Sequence, residues 1–200
     1  MALQITREVP DMKNKSTFTT KKIVLVALLA ALTAVASTLR IKVPAGIAGT
    51  SAFHLGNIFC ALSGILLGPW WGGLAAGLGS ALHDIVFDPT YIAECWLTFL
   101  MKGAYGLMAG LVAHSGKKEW DFLKATMAAL AGAVTYAILY LAKNYLKAII
   151  VQGVAASGAW IAVLDKIPAT VFNAVVAILF APMLATAVRT ALKKNHLSLE

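Results

Sequence analysis

Charge is what this chain has least of. Of its 200 residues, 13% are Asp, Glu, Lys or Arg, and nine of them are acidic. A soluble domain of this length needs far more polar side chains to cover its surface, so a water-soluble globule is excluded. Site motifs are missing too. The two cysteines, Cys60 and Cys95, form no CxxC pair, and no HExxH or comparable ligand spacing occurs, so a structural metal has no support. Without a Walker A sequence or a Gly-rich phosphate loop, the chain cannot hydrolyse ATP by itself. No nucleophile stands beside a base at a recognisable spacing, which argues against an enzyme, and no cofactor is implied.

What is abundant is apolar surface: 60% of the residues are hydrophobic and the mean hydropathy is +0.78. The composition predicts an all-α integral membrane protein. A spanning helix takes about 20 mainly apolar residues, and six candidates qualify: 22–39, 53–68, 71–87, 96–113, 123–142 and 167–188. They divide the chain into a polar tail (1–20), a membrane domain (21–192) and a short C-terminal tail (193–200). KKIVLVALLAALTAVAS (21–37) has the basic start and Ala-x-Ala ending of a secretory signal. Its long polar leader, and the spanning segments that follow, make it a retained first helix. GPWWGG (68–73) reads as a tight uncharged turn. The run AIIVQGVAASGAWIAVL, after Lys147, could pass for a seventh span.

The net charge of +8 settles that choice by its distribution. Basic residues stand at the ends of apolar runs and form no basic face, so nucleic acid is not an expected partner and the charge is topogenic. With six spans, Arg7, Lys13, Lys15, Lys21, Lys22, Lys117, Lys118, Lys124, Arg189, Lys193 and Lys194 share one side. A seventh span would carry the basic C-terminus across. Both termini are therefore expected in the cytoplasm of a multi-pass cell-membrane protein. The connections 40–52, 88–95 and 143–166 then lie outside.

The polar exceptions gather at that outer level. HDIVFDPTYIAECW (83–96) supplies His83, Asp84, Asp88, Tyr91, Glu94 and Trp96, and Lys102 follows inside the next apolar run. An ionisable group at membrane depth costs about 2.5–3.5 kcal/mol on insertion scales, so Lys102 needs a reason. One is neutralisation by Glu94, Asp84 or Asp88; the other is a cavity-facing ammonium that meets an anionic or carbonyl-bearing ligand. Asp88 before Pro89 also suits a turn, and Glu94 suits a helix N-terminus. His54 and Asn57 open the second helix at the same level, and Asn173 lies about two turns into the last. Tyr145 and Trp160 in the last outer connection fit either an aromatic belt at the membrane interface or a pocket wall. Small residues at four-residue spacing occur in GILLG, GLAAG and GLMAG and along Ala27, Ala30, Ala31 and Ala34, the arrangement that lets membrane helices approach closely.

At this point the chain resembles a known family: the substrate-binding S component of energy-coupling factor (ECF) type vitamin transporters. The resemblance runs over about 20–192. It rests on the Ala-rich first helix, on HLGNIFCALSGILLGPWWGGLAAGLGSALHDI, on TFLMKGAYGLMAGL and on KIPATVFNAVVAILFAPML. It implies a six-helix subunit with a high-affinity site near the outer face, closed by the outer connections. His54, Asn57, His83, Asp84, Tyr91, Glu94, Trp96, Lys102, Tyr145, Trp160 and Asn173 are the candidate substrate contacts. It also implies that helix 1 docks through Ala27, Ala30, Ala31 and Ala34 onto a transmembrane coupling protein driven by two ATPases. The vitamin-like substrate stays open among cobalamin, pantothenate, a pyridoxine-like vitamin and a pyrimidine precursor. The His-containing start of the nickel and cobalt members is lacking, so a bare metal ion is not the expected cargo. Two other readings compete. A self-sufficient solute transporter would show repeated halves or midplane charges. A membrane-embedded enzyme would use His83, Asp84 and Asp88.

Overall fold

Apolar runs broken by short polar connections give a bundle of helices joined alternately at two ends. The computed structural model describes residues 20–44, 50–116 and 119–195. Within them lie α1 (Thr20–Thr38), α2 (Gly56–Leu67), α3 (Pro69–Val86), α4 (Cys95–Ala113), α5 (Phe122–Ile150), α6 (Ala156–Leu164) and α7 (Ile167–Lys194). A 3-10 helix, Pro89–Glu94, precedes α4, and β1 (Arg40–Pro44) pairs antiparallel with β2 (Thr50–His54). The expected polar tail (1–20), except Thr20, and the C-terminal tail beyond Asn195 lie outside the described residues, as do Lys117 and Lys118.

The hairpin is one correction to an all-α expectation. RIKVP offers β-branched Ile41 and Val43, which favour strand, and the register sets Ile41 opposite Phe53 and Val43 opposite Ser51. It takes up Phe53 and His54, so His54 ends a strand instead of opening a helix. The connection 143–166 is the other departure. The chain does not stop being helical at 142: α5 runs on to Ile150 and α6 follows after a short break. KNYLK reads as an interruption because it is polar, yet its residues are compatible with helix, and Asn144 Nδ2 donates to the Tyr140 carbonyl at 2.7 Å.

Among the described residues, four segments are long and apolar enough to cross a membrane: Thr20–Thr38, Pro89–Ala113, Phe122–Ile150 and Ala156–Lys194. Helix α2 has 12 residues, about 18 Å at the usual rise, short of a hydrocarbon core of about 30 Å. Its position accounts for this. It packs against α1, α3, α4, α5 and α7, and nearly all its residues are buried. A helix apolar on every side and covered by its neighbours does not have to match the lipid. The lipid-ready surface comes from the other helices, which expose Leu, Ile, Val and Phe along their outward faces.

Glycines set the distance at which α2, α3 and α4 cross. A Cβ on Gly72 would lie 2.5 Å from the Gly64 Cα, and one on Gly106 would lie 2.6 Å from the Gly72 carbonyl oxygen. A Cβ on Gly110 would run into the backbone of Pro69. Backbones therefore touch directly, which in lipid supplies packing that the hydrophobic effect cannot. Gly68 joins α2 to α3 at φ +80°, a left-handed conformation that favours glycine, and Pro69 starts α3 where no amide is needed. At this same end Arg189 bonds the Trp120 carbonyl, pairs with Glu119 and lies 4.7 Å over the Trp120 ring.

Candidate functional site

At the opposite end the helices splay around a cavity of about 520 Å³. Its wall is built from several elements: Arg40 and Lys42 from β1, Thr50 and His54 from β2, and His83 and Asp84 from α3. Tyr91 and Glu94 come from the 3-10 helix, Lys102 from α4, Tyr136, Tyr140, Lys143 and Lys147 from α5, and Lys166 from the start of α7. The volume falls within the range of about 300–1,000 Å³ usual for small-molecule sites, far larger than an ion requires. Among the described residues no group of three or more His, Cys, Asp or Glu could hold a metal.

Lys102 is the deepest charge. It is 5% exposed, so its ammonium does not snorkel to water. It donates to Asn57 Oδ1 and lies 3.9 Å from the centroid of the Tyr136 ring. Asn57 stands in the first turn of α2, and Tyr136 is stacked between Tyr105 and Tyr140 at 6.0 and 5.5 Å. Of the three carboxylates that could neutralise Lys102, Asp88 and Glu94 are paired with other cations. Asp88 pairs with Arg40 at 2.7 Å and Lys42 at 2.9 Å, and Glu94 pairs with both Lys143 and Lys147. Asp84 acts on Lys102 at longer range and meets the Thr98 hydroxyl. Beside it, His83 is stacked on Phe87 at 5.9 Å. Its buried ring nitrogens make no hydrogen bond, although the Ala34 backbone acts on the ring electrostatically.

Ion pairs tie the cavity mouth together across the sequence. The Asp88 pairs fasten the hairpin to the 3-10 helix. Thr90 adds a hydroxyl bond to Asp88 Oδ1 at 2.6 Å. Burial alone would raise the Asp88 carboxyl, but the hydrogen bonds from Thr90 and Lys42 and the charge of Arg40 outweigh it and hold it at about 2. The Glu94 pairs fasten the 3-10 helix to α5. Lys166 donates to the Thr50 carbonyl and so fastens α7 to β2.

Asn173 completes that last attachment. Its Oδ1 accepts from the His54 amide and its Nδ2 donates to the Ala52 carbonyl, both at 2.9 Å. One side-chain amide thus satisfies two backbone groups on the outer edge of β2. His54 Nδ1 accepts from the Gly56 amide at 3.2 Å, which leaves the ring neutral with its proton on Nε2. Enclosure by protein pushes the His54 pKa well below its usual value, and Lys102, His83 and Arg40 push the same way.

The structure brings His54, His83, Asp84, Tyr91, Glu94 and Lys102 together on the cavity wall. The other sequence-predicted residues lie elsewhere. Asn57 stands behind Lys102, and Asn173 behind β2. Trp96 and Trp160 each expose 59% of their surface, and Trp160 lies 5.0 Å from Tyr145 on the outside of the α5–α6 corner, positions that suit a membrane-interface belt. On α1, Ala27 and Ala31 are exposed whereas Ala30 and Ala34 are buried. Gly79 of α3 packs on the Ala30 backbone there, so the four alanines do not form one exposed stripe. Sequence reasoning missed Arg40, Lys42, Lys143, Lys147 and Lys166 as wall residues. They fall in two of the connections expected on the outer side, 40–52 and 143–166, and that shared placement was the available signal.

Residues 17–190 match the family model described as "ECF-type riboflavin transporter, S component". A curated relative from Pyrococcus woesei, described as an "Uncharacterized protein in gap 3'region", is 34% identical over 80 residues. The match covers 40% of this chain and 50% of that protein, so the chain spans about half the length of the relative.

Proposed function

The chain belongs to the family of ECF-type riboflavin transporter S components, and from that premise we propose that it is the substrate-binding subunit of an ECF transporter. That family consists of transporter subunits, not enzymes. In this reading the protein crosses the cell membrane six times with both termini in the cytoplasm, and the hairpin end faces outward. It captures a vitamin-like molecule in the cavity and delivers it by docking on a transmembrane coupling protein with two ATPase subunits.

One observation carries the proposal: the family match spans nearly the whole chain, and the same chain encloses a vitamin-sized cavity at the hairpin end. The exposed Ala27 and Ala31, with Val24, Leu28 and Val35 beside them, are the part of α1 available for docking. The decisive experiment is uptake in cells with and without the coupling module, alongside native mass spectrometry of gently purified protein. Uptake should require the module, and a small molecule should travel with the protein. Undiminished uptake in its absence would instead support a self-sufficient transporter. Ala31→Leu should abolish co-purification with the coupling protein while the isolated subunit still retains its co-purifying molecule. Loss of both at once would mean that α1 packs internally at this position.

A further inference from the structure

We infer that the molecule taken by this cavity carries negative charge, as a carboxylate or a phosphate. The inference rests on reading the cavity as the substrate site, and it concerns the chemistry that the site selects. Six cationic side chains line it: Arg40, Lys42, Lys102, Lys143, Lys147 and Lys166. Against them stand Asp84 and Glu94 on the wall and Asp88 behind Arg40. Six positive charges against three negative leave an excess of three.

The pairing deepens that imbalance. Asp88 serves two cations and Glu94 serves two more, so neither carboxylate can cancel what surrounds it. Lys102 and Lys166 are 5% and 3% exposed, and among the described residues neither has a carboxylate within ion-pair distance. Each donates to a neutral oxygen, the Asn57 amide and the Thr50 carbonyl respectively. A neutral acceptor satisfies a hydrogen bond but leaves the charge in place. Asp84 and Asp165 act on these two ammoniums only at longer range, so each is buried without a paired counter-charge, which is costly. Both line one cavity, Lys102 from α4 and Lys166 from the start of α7. An anion between them supplies the missing charge and gains charge-assisted hydrogen bonds. Tyr136 and Tyr140 on the same wall offer a flat apolar surface to the remainder of the molecule.

The test uses the full chain in nanodiscs of zwitterionic lipid, so that no anionic headgroup is present. Calorimetric affinity and thermal midpoint are read for probe pairs matched in shape but not in charge. The pairs are riboflavin with flavin mononucleotide, nicotinamide with nicotinate, and panthenol with pantothenate, and inorganic phosphate is measured alone. In at least one pair the anionic member should bind about tenfold or more tightly than its neutral partner, the scale of one charge-assisted hydrogen bond. That ratio should shrink as salt rises. Whether the phosphate or a carboxylate wins identifies the anion. Lys166→Met should pull the ratio toward one, and Lys166→Arg should keep it. If Lys166→Met fails to fold, the wild-type ratio and its salt dependence decide alone. Neutral members binding as well as anionic ones would overturn the inference. So would a midpoint that no anionic probe raises beyond sodium chloride of equal ionic strength. Co-purification with the coupling module is scored separately. Assembly without anion preference removes this inference alone; anion preference without assembly removes the subunit reading alone.

Discussion

The two ends of the bundle are held by opposite means. Near the GPWWGG segment, α2, α3 and α4 meet backbone to backbone at Gly64, Gly72 and Gly106, with no side chain between them. Towards the hairpin α3 and α4 still touch at Gly77 and Phe99, but the elements around the cavity mouth are joined by Asp88, Glu94 and Lys166. One end is fixed by shape and cannot yield without a clash. The other is fixed by exchangeable charge pairs, whose strength depends on water, salt and whatever occupies the space. A protein that must hold its fold and still admit and release a ligand gains from keeping these two kinds of contact apart.

Four perturbations would test that division, taken from the largest expected effect downward. Gly72→Leu drives a side chain into the Gly64 backbone and should cost about 3 kcal/mol or more, read as a lowered unfolding midpoint in detergent. A midpoint unchanged within error would mean that the crossing is loose. Lys102→Met removes the deepest cation and should weaken ligand binding about tenfold. Its unfolding should change little, because losing a buried charge offsets the partner lost by Asn57. Equal losses of binding and fold would erase the contrast between the ends. Glu94→Gln frees Lys143 and Lys147 and should cost about 1 kcal/mol or less in stability, since both lysines are partly exposed. Its signature should be faster ligand release in stopped-flow measurements, and an unaltered off-rate would argue against a strap.

The smallest effect is on pH. The His54 pKa is lowered in the folded protein, so below its unfolded value of about 6.5 the unfolded chain binds the extra proton. Stability from this group is therefore complete above about pH 6.5 and declines as pH falls below it. His54→Asn keeps an acceptor for the Gly56 amide and should flatten the slope of unfolding free energy below about pH 6.5. A slope retained in the variant would assign the titration to another group.

How much of this was legible in the sequence follows the same division. The α2–α3 junction could be read because Gly68 and Pro69 act within a residue or two of where they stand, but Pro69–Gly73 begins α3 and is not a turn of its own. The six expected spans meet seven α-helices among the described residues, with four segments long and apolar enough to cross a membrane. The small-residue spacings pointed to close packing, and Gly64, Gly72 and Gly106 are where it occurs. The charge pairs were not readable in this way. Glu94 lies about fifty residues from Lys143 and Lys147, and its position before α4 suggested a dipole role, which gives no hint of those partners. Lys166 follows Asp165 directly in the sequence, yet its ammonium turns to the Thr50 carbonyl. Asn173 looked like a pocket group at its depth in α7, because a sequence does not reveal that a strand edge lies beside it. The α1 alanines misled for a simpler reason. A stripe at four-residue spacing has no marked inside, and Gly79 of α3 decides that Ala30 faces inward.

The two bonds from Asn173 to β2 have a mechanical consequence when taken with Lys166. Strand β2 is riveted to α7 at Ala52 and His54 and again at Thr50, so hairpin and helix should swing as one panel. The facing panel is the 3-10 helix with the far turns of α5, and its latch to the hairpin is Asp88. A doorway built this way should open when Arg40 and Lys42 let go of that carboxylate and Thr50 parts from the Tyr91 hydroxyl, with neither panel having to bend.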